Sequence, residues 1–188
     1  MNDVIKAILE RRSIRSYQDK PIPEDQLELI VKAGQYAASA RNVQPWHITV
    51  VTNAASIRNI TAEVKAAIIR VGVERYLAAA NSDVYSVNFH KAPVFVIVSA
   101  DPTITLCAAE DSSLVLGNMF LAAHSLGIGS CWINQLGCVC DDPQFRAFLD
   151  GLCVPKGFTV YGSACFGYGD KPHPEAKPRK ENSVNYVR

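Results

Sequence analysis

Three arginines and a serine fall within five residues near the start of the chain, in Arg11-Arg12-Ser13-Ile14-Arg15. Guanidinium groups are planar, permanently charged and fork-shaped, so they pair with phosphate oxygens two at a time, and a nearby hydroxyl adds a further hydrogen bond. The cluster is suited to a phosphate dianion. Its other reading is a solvated basic turn. A second basic cluster, Lys177-Pro178-Arg179-Lys180, lies at the far end. Alone it reads as a charged tail. If the tail folds back, the two clusters converge on one phosphate. A third feature, Ser39-x-x-Asn42-x-Gln44-Pro45-Trp46, sets small polar side chains in a loop that feeds a strand. Such groups hydrogen-bond a polyol or the edge of a heterocycle, and they also suit plain turns.

The standard glycine-rich phosphate cradles, G-x-G-x-x-G and G-x-x-x-x-G-K-[ST], do not occur, and neither does the G-x-S-x-G nucleophile elbow. His47, His90, His124 and His173 lie apart with no H-E-x-x-H and read as structural or surface residues. Cys138 and Cys140 form a C-x-C pair expected in a loop; without further ligands at suitable spacing, no metal site is expected. Nineteen basic against 18 acidic side chains give a net charge of +1, so no global field points at nucleic acid or an acidic membrane, and any anion site must be local. No segment reaches the roughly 18 apolar residues that span a bilayer. The opening Met1-Asn2-Asp3-Val4-Ile5-Lys6 lacks a signal-peptide pattern. The cysteines are too sparse for a disulfide-stapled secreted scaffold. The expectation is a cytoplasmic protein with reduced thiols.

These groups need elements to position them. Residues 3–10 read as a helix with Ile5, Ile8 and Leu9 on one face and Asp3 as cap. Pro21 and Pro23 break the chain. Glu24 to Ala38 follows as a second helix, with Leu27, Ile30, Val31 and Gly34 at helical spacing. Trp46 to Thr52 is a strand, and the alanine-rich residues 55–80 are helical. Val94 to Ala100 is a continuous apolar run, as in a strand buried on both faces. Residues 108–125 form the most apolar helix, which must be covered by its own domain or by a partner subunit. A turn and short strand at Gly127–Ile133, a small helix at Asp142–Leu149 and a last strand at Phe158–Gly167 complete the pattern. The tail from Tyr168 to Arg188 is extended, either a loose end or a gripping arm. With no repeat or linker, the reading is one α+β domain over residues 1–188, a modest central sheet with long helices on it.

Four segments in order are similar to a known family. Ile8-Leu9-Glu10-Arg11-Arg12-Ser13-Ile14-Arg15-Ser16-Tyr17 resembles the opening of the FMN-dependent nitroreductases, and Ala38-Ser39-Ala40-Arg41-Asn42-Val43-Gln44-Pro45-Trp46 their second signature. Gly117 to Ala123, followed by Leu126 to Trp132, is similar to the family's core helix and the turn after it; Gly167-Tyr168-Gly169 followed by Lys177-Pro178-Arg179-Lys180 is similar to its ending. The resemblance implies a mostly antiparallel central sheet surrounded by helices and an entwined homodimer with two FMN sites at its interface. It implies that Arg11, Ser13 and Arg15, with Arg12, hold the phosphate and ribityl chain, and that Lys177 and Arg179 close on the same phosphate. Ser39 and Asn42 would reach the flavin from the partner subunit. Backbone groups of Ile133, Asn134 and Gln135 would run along it, with Asn88 at its pyrimidine edge. The implied activity is ping-pong electron transfer from NADH or NADPH to a small oxidised acceptor such as a nitroaromatic, quinone or flavin, with no obligatory acid–base side chain. Dehalogenation, enone reduction, flavin destruction and a non-catalytic flavin-binding module stay open as alternatives. Only Asp101 to Ala109 separate the apolar strand from the core helix, so the long lid insertion of some members is missing.

Overall fold

The fold is taken from a computed structural model that describes residues 1–82 and 89–188. Its centre is the apolar run expected to be buried twice over. Strand β2 (Val94–Ala100) is buried along its whole length. Side chains alternate across a strand, and here each alternate set meets its own core. Phe95 and Ile97 join one apolar cluster, while Val94, Val96 and Val98 join the other. β2 lies between β1 (Trp46–Val51) and β4 (Thr159–Gly167), and β3 (Gly129–Ile133) forms the far edge beyond β4. All neighbouring strands are antiparallel, as expected.

Helices cover both faces. On one, α3 (Ala54–Val71) sends Ile57, Ile60, Val64 and Ile68 against Leu136 of α6 (Gln135–Val139) and against Phe145 and Leu149 of α7 (Pro143–Gly151). On the other, α5 (Ala108–Ser125) packs Val115, Leu116, Met119 and Ala123 beside Ile30 of α2 (Glu24–Gln35). The most apolar helix thus has a burial partner within the chain along one face, but Leu114 on that helix stays exposed. By contrast, no residue of α1 (Asp3–Glu10) is buried. Its apolar Val4, Ile5, Ile8 and Leu9 all face solvent.

Several boundaries differ from the sequence reading for identifiable reasons. The α1 cap is Asn2, whose Oδ1 accepts from the Ile5 N–H at 3.0 Å, rather than Asp3. α2 stops at Gln35, before Ala38. The helical stretch over 55–80 is two helices, because Gly72 turns left-handed at φ 74° and caps α3 by donating its N–H to the Ile68 carbonyl; α4 (Glu74–Ala80) then starts anew. Cys138 lies on α6 rather than in a loop. Residues 171–188 carry no helix or strand. Among the described residues, no helix is long and apolar enough to cross a membrane.

Candidate active site

The arginine segment is held against the edge of the sheet. After α1 ends, the Arg12 guanidinium donates to the carbonyls of Leu9 and Arg11, both at 2.8 Å, satisfying groups that the end of a helix leaves free. Ser13 pairs with Ser130 of β3, and the Ile14 N–H donates to the Ser130 carbonyl at 2.9 Å. This approach requires Gly129, since a Cβ there would sit 2.7 Å from Ile14 Cγ1. Further along, Tyr17 pairs with Gly169, its hydroxyl donates to the Ile14 carbonyl at 2.7 Å, and the Ser16 hydroxyl donates to Asp170 at 2.7 Å. The basic segment is therefore pinned both to β3 and to the start of the tail.

Between them lies a cavity of about 210 Å³. Arg11, Arg12, His124, Lys171 and His173 line it together with the backbone from Gly127 to Ser130, and no carboxylate is among the lining residues. The rings of His124 and His173 are 5.5 Å apart. The His124 pKa is pushed below its usual value by burial first, then by repulsion from His173 and from Arg11 and Arg12, against an opposing pull from Glu10. The Nε of Arg12 is buried without a partner among the described residues. Cations crowded into a small cavity repel one another unless an anion sits between them. The donor set therefore fits a phosphate dianion.

The polar loop expected to contact a heterocycle sits elsewhere. Arg41, Asn42 and Gln44 all have positive φ, at 52°, 56° and 49°. This left-handed region is costly for residues with a side chain and is held by surrounding contacts. The Gln44 N–H donates to Ser39 Oγ at 3.1 Å, its side-chain amide donates to Asn42 at 3.0 Å, and the Ala40 N–H donates to Asp111 at 3.1 Å. Asn42 and Gln44 border a second cavity of about 540 Å³ with Tyr36 and Trp46. Asp111 is in the first turn of α5 and His124 in its last. At roughly 1.5 Å per residue, about 20 Å of helix separates the two. β1, which follows the loop, and β3, which carries the arginine segment, are also opposite edges of the sheet.

In one chain, then, the expected site residues form separate groups. Arg11 and Arg12 line the cationic cavity; Ser13 and Arg15 do not, and the charge of Arg15 acts on Cys131 and Tyr17. Ile133 is buried at the end of β3, its carbonyl accepting from the Ser163 hydroxyl at 2.7 Å; Asn134 and Gln135 begin α6. Ser39 and Asn42 are at the other end of α5. Lys177 and Arg179 are exposed in the tail and do not line the cavity. Asn88 lies outside the described residues. His124, Lys171 and His173, which had no functional reading in the sequence, do line it. Their position just behind Gly169 is the signal that could have found the last two.

Comparison with known proteins agrees with this architecture. Residues 8–168 match the nitroreductase family. A nitroreductase with bound FMN from Bacteroides fragilis is 39% identical, with a TM-score of 0.93 and 100% of both chains covered. Another from Desulfitobacterium hafniense, also with bound FMN, is 26% identical, with a TM-score of 0.83 over 100% of both chains. An NADPH-flavin oxidoreductase of Vibrio harveyi is 33% identical over 183 residues, 95% of this chain and 70% of that protein. The chain belongs to the nitroreductase family and is an oxidoreductase.

Proposed function

We propose that two copies of this chain, each a single domain, bind FMN at their interface and pass electrons from NADH or NADPH to a small oxidised acceptor such as a nitroaromatic, a quinone or a flavin. The observation that carries the reading is the cation-lined cavity with its unpartnered Arg12 Nε. Arg11, Arg12, Ser13 and Arg15 hold the phosphate and ribityl chain, Lys171 adds positive charge with the His173 ring beside it in the lining, and Lys177 and Arg179 close over it from the tail. Ser39 and Asn42 serve the site of the other copy, a reading supported by their distance from the arginines within one chain. Backbone groups of Ile133, Asn134 and Gln135 and the side chain of Asn88 complete the contacts.

A dimer is further supported by apolar surface with no cover in one chain. Val4, Ile8 and Leu9 of α1, Leu106 before α5, and Val184, Tyr186 and Val187 of the tail are all exposed. Bound FMN would supply the two-electron exchange between nicotinamide and acceptor. The protein's part is to bind, orient and keep the donor and acceptor in alternate possession of one site, a ping-pong order. No side chain is assigned as acid or base. The experiment is the visible spectrum of the purified protein with NADH and with NADPH, followed by mass spectrometry of the released cofactor. A yellow protein that bleaches, and FMN in the supernatant, are expected. A colourless protein that cannot be reconstituted, or released FAD, overturns the proposal.

A further inference from the structure

The proposed electron-transfer site leaves unused a group of reactive side chains beneath the arginine segment. Cys131 of β3 and Cys165 of β4 are direct cross-strand partners. Opposed residues of an antiparallel pair point to the same face, with Cα atoms about 4.5–5.5 Å apart. That separation falls inside the roughly 4.4–6.8 Å that a disulfide spans. Both side chains enter the same apolar cluster, and Cys165 Sγ already lies 3.7 Å from the Cys131 carbonyl oxygen. We propose that Cys131 and Cys165 form a redox-active dithiol that hydrogen peroxide closes to a cross-strand disulfide and a small dithiol reopens.

The surroundings distinguish the two sulfurs. Cys131 is 4% exposed and Cys165 is fully buried. The Cys131 pKa is drawn down by a hydrogen bond with Cys165, then by His90 and the charge of Arg15, against the opposing effect of burial. Burial holds the Cys165 thiol up. The Tyr17 hydroxyl, 3.4 Å from Cys165 Sγ, is kept neutral by its own burial. Thiolates, rather than thiols, attack peroxides. Cys131 is therefore the attacking group and Cys165 the resolving one.

The chemistry balances with the named oxidant. The Cys131 thiolate attacks one peroxide oxygen, the O–O bond breaks, and the leaving hydroxide takes a proton to become water. Cys131 is left as a sulfenic acid. The Cys165 sulfur then attacks the Cys131 sulfur, the S–O bond breaks, and hydroxide departs as a second water with the Cys165 proton. Two thiols lose two electrons and two protons in all, and one peroxide becomes two waters. Reduction by dithiothreitol reverses the result through thiol–disulfide exchange.

The test uses the full-length protein as purified, with its cofactor content unaltered. It is exposed to hydrogen peroxide, its remaining thiols are alkylated in denaturant, and its peptides are mapped. A linkage between the peptides carrying Cys131 and Cys165, lost after dithiothreitol, is expected. Cys165→Ser should stop at a sulfenic acid on Cys131 that dimedone traps, and Cys131→Ser should leave Cys165 reduced. Both thiols remaining free in the unmodified protein while Cys107, Cys138 or Cys153 oxidises would overturn the proposal. That arm needs no variant to fold.

Discussion

Arg11 is the single side chain from which most is expected at the cationic cavity. Loss of a charge-assisted contact to phosphate in Arg11→Ala should weaken FMN binding by about 2 kcal/mol. Quenching of flavin fluorescence measures this, and an unchanged dissociation constant would reduce Arg11 to a surface charge. His124 offers an independent readout. Its pKa is depressed below 6.5 in the folded chain. The unfolded chain therefore takes up that proton first, and the residue's contribution to stability falls as pH drops below about 6.5. An anion in the cavity offsets the surrounding positive charge and raises the His124 pKa. FMN binding should then tighten as pH falls through that range, and in His124→Gln the pH dependence should flatten. Titrations at several pH values check both. The arginines were legible in the sequence because guanidinium chemistry is local. His124 was not, since nothing near it in sequence shows that His173 and two arginines crowd it.

At the scale of elements, α7 is tied down by one carboxylate. Asp142 caps it by accepting from the Phe145 N–H at 2.9 Å and also pairs with Arg70 of α3. The Arg70 hydrogen bond and then the Phe145 N–H hold the Asp142 pKa down to about 2. A folded pKa below the unfolded one means stability that is fully present above about pH 4 and is lost as pH falls through about 2. Asp142→Ala should therefore melt lower than the parent at neutral pH, with the two melting temperatures converging near pH 2. Melting curves across that range decide it. The elements themselves were largely readable: β2 from its unbroken apolar run, α5 from its lack of charge. Boundaries were less so. Alanine continues through the Gly72 break, and only the left-handed turn there separates α3 from α4.

For the whole molecule, the uncovered faces of α1 and the tail should bring two copies together. Light scattering at micromolar concentration should give twice the chain mass; a stable, flavin-loaded monomer would contradict the dimer. The tail carries a second expectation. All strands and helices precede residue 168, and the Ser16–Asp170 contact pins the point of departure. Truncation after Asp170 removes Lys171 and His173 from the cavity, together with the exposed Lys177 and Arg179 of the tail, but leaves the core intact. The shortened chain should fold, lose affinity for FMN, and gain less melting temperature from added FMN than the full chain, because the stabilisation by a ligand grows with its concentration relative to its dissociation constant. Equal affinity would mean that the N-terminal arginines suffice.

The order of side-chain types along the chain determined what could be deduced locally: an arginine cluster suited to a phosphate, a doubly buried strand, an apolar helix, and a family resemblance carried by four short segments. Each depends on spacing over a few residues, where backbone geometry is nearly fixed. Tertiary structure decided which groups meet. The pairing of Ser13 with Ser130 and of Tyr17 with Gly169 folds the start of the tail onto the first arginines and makes Lys171 and His173 part of one cavity. The same fold sends Ser39 and Asn42 to the opposite end of α5 and sets Cys131 against Cys165. Contacts between residues over a hundred positions apart follow from strand order and register, and these are chosen by the burial of two whole core faces rather than by any local motif.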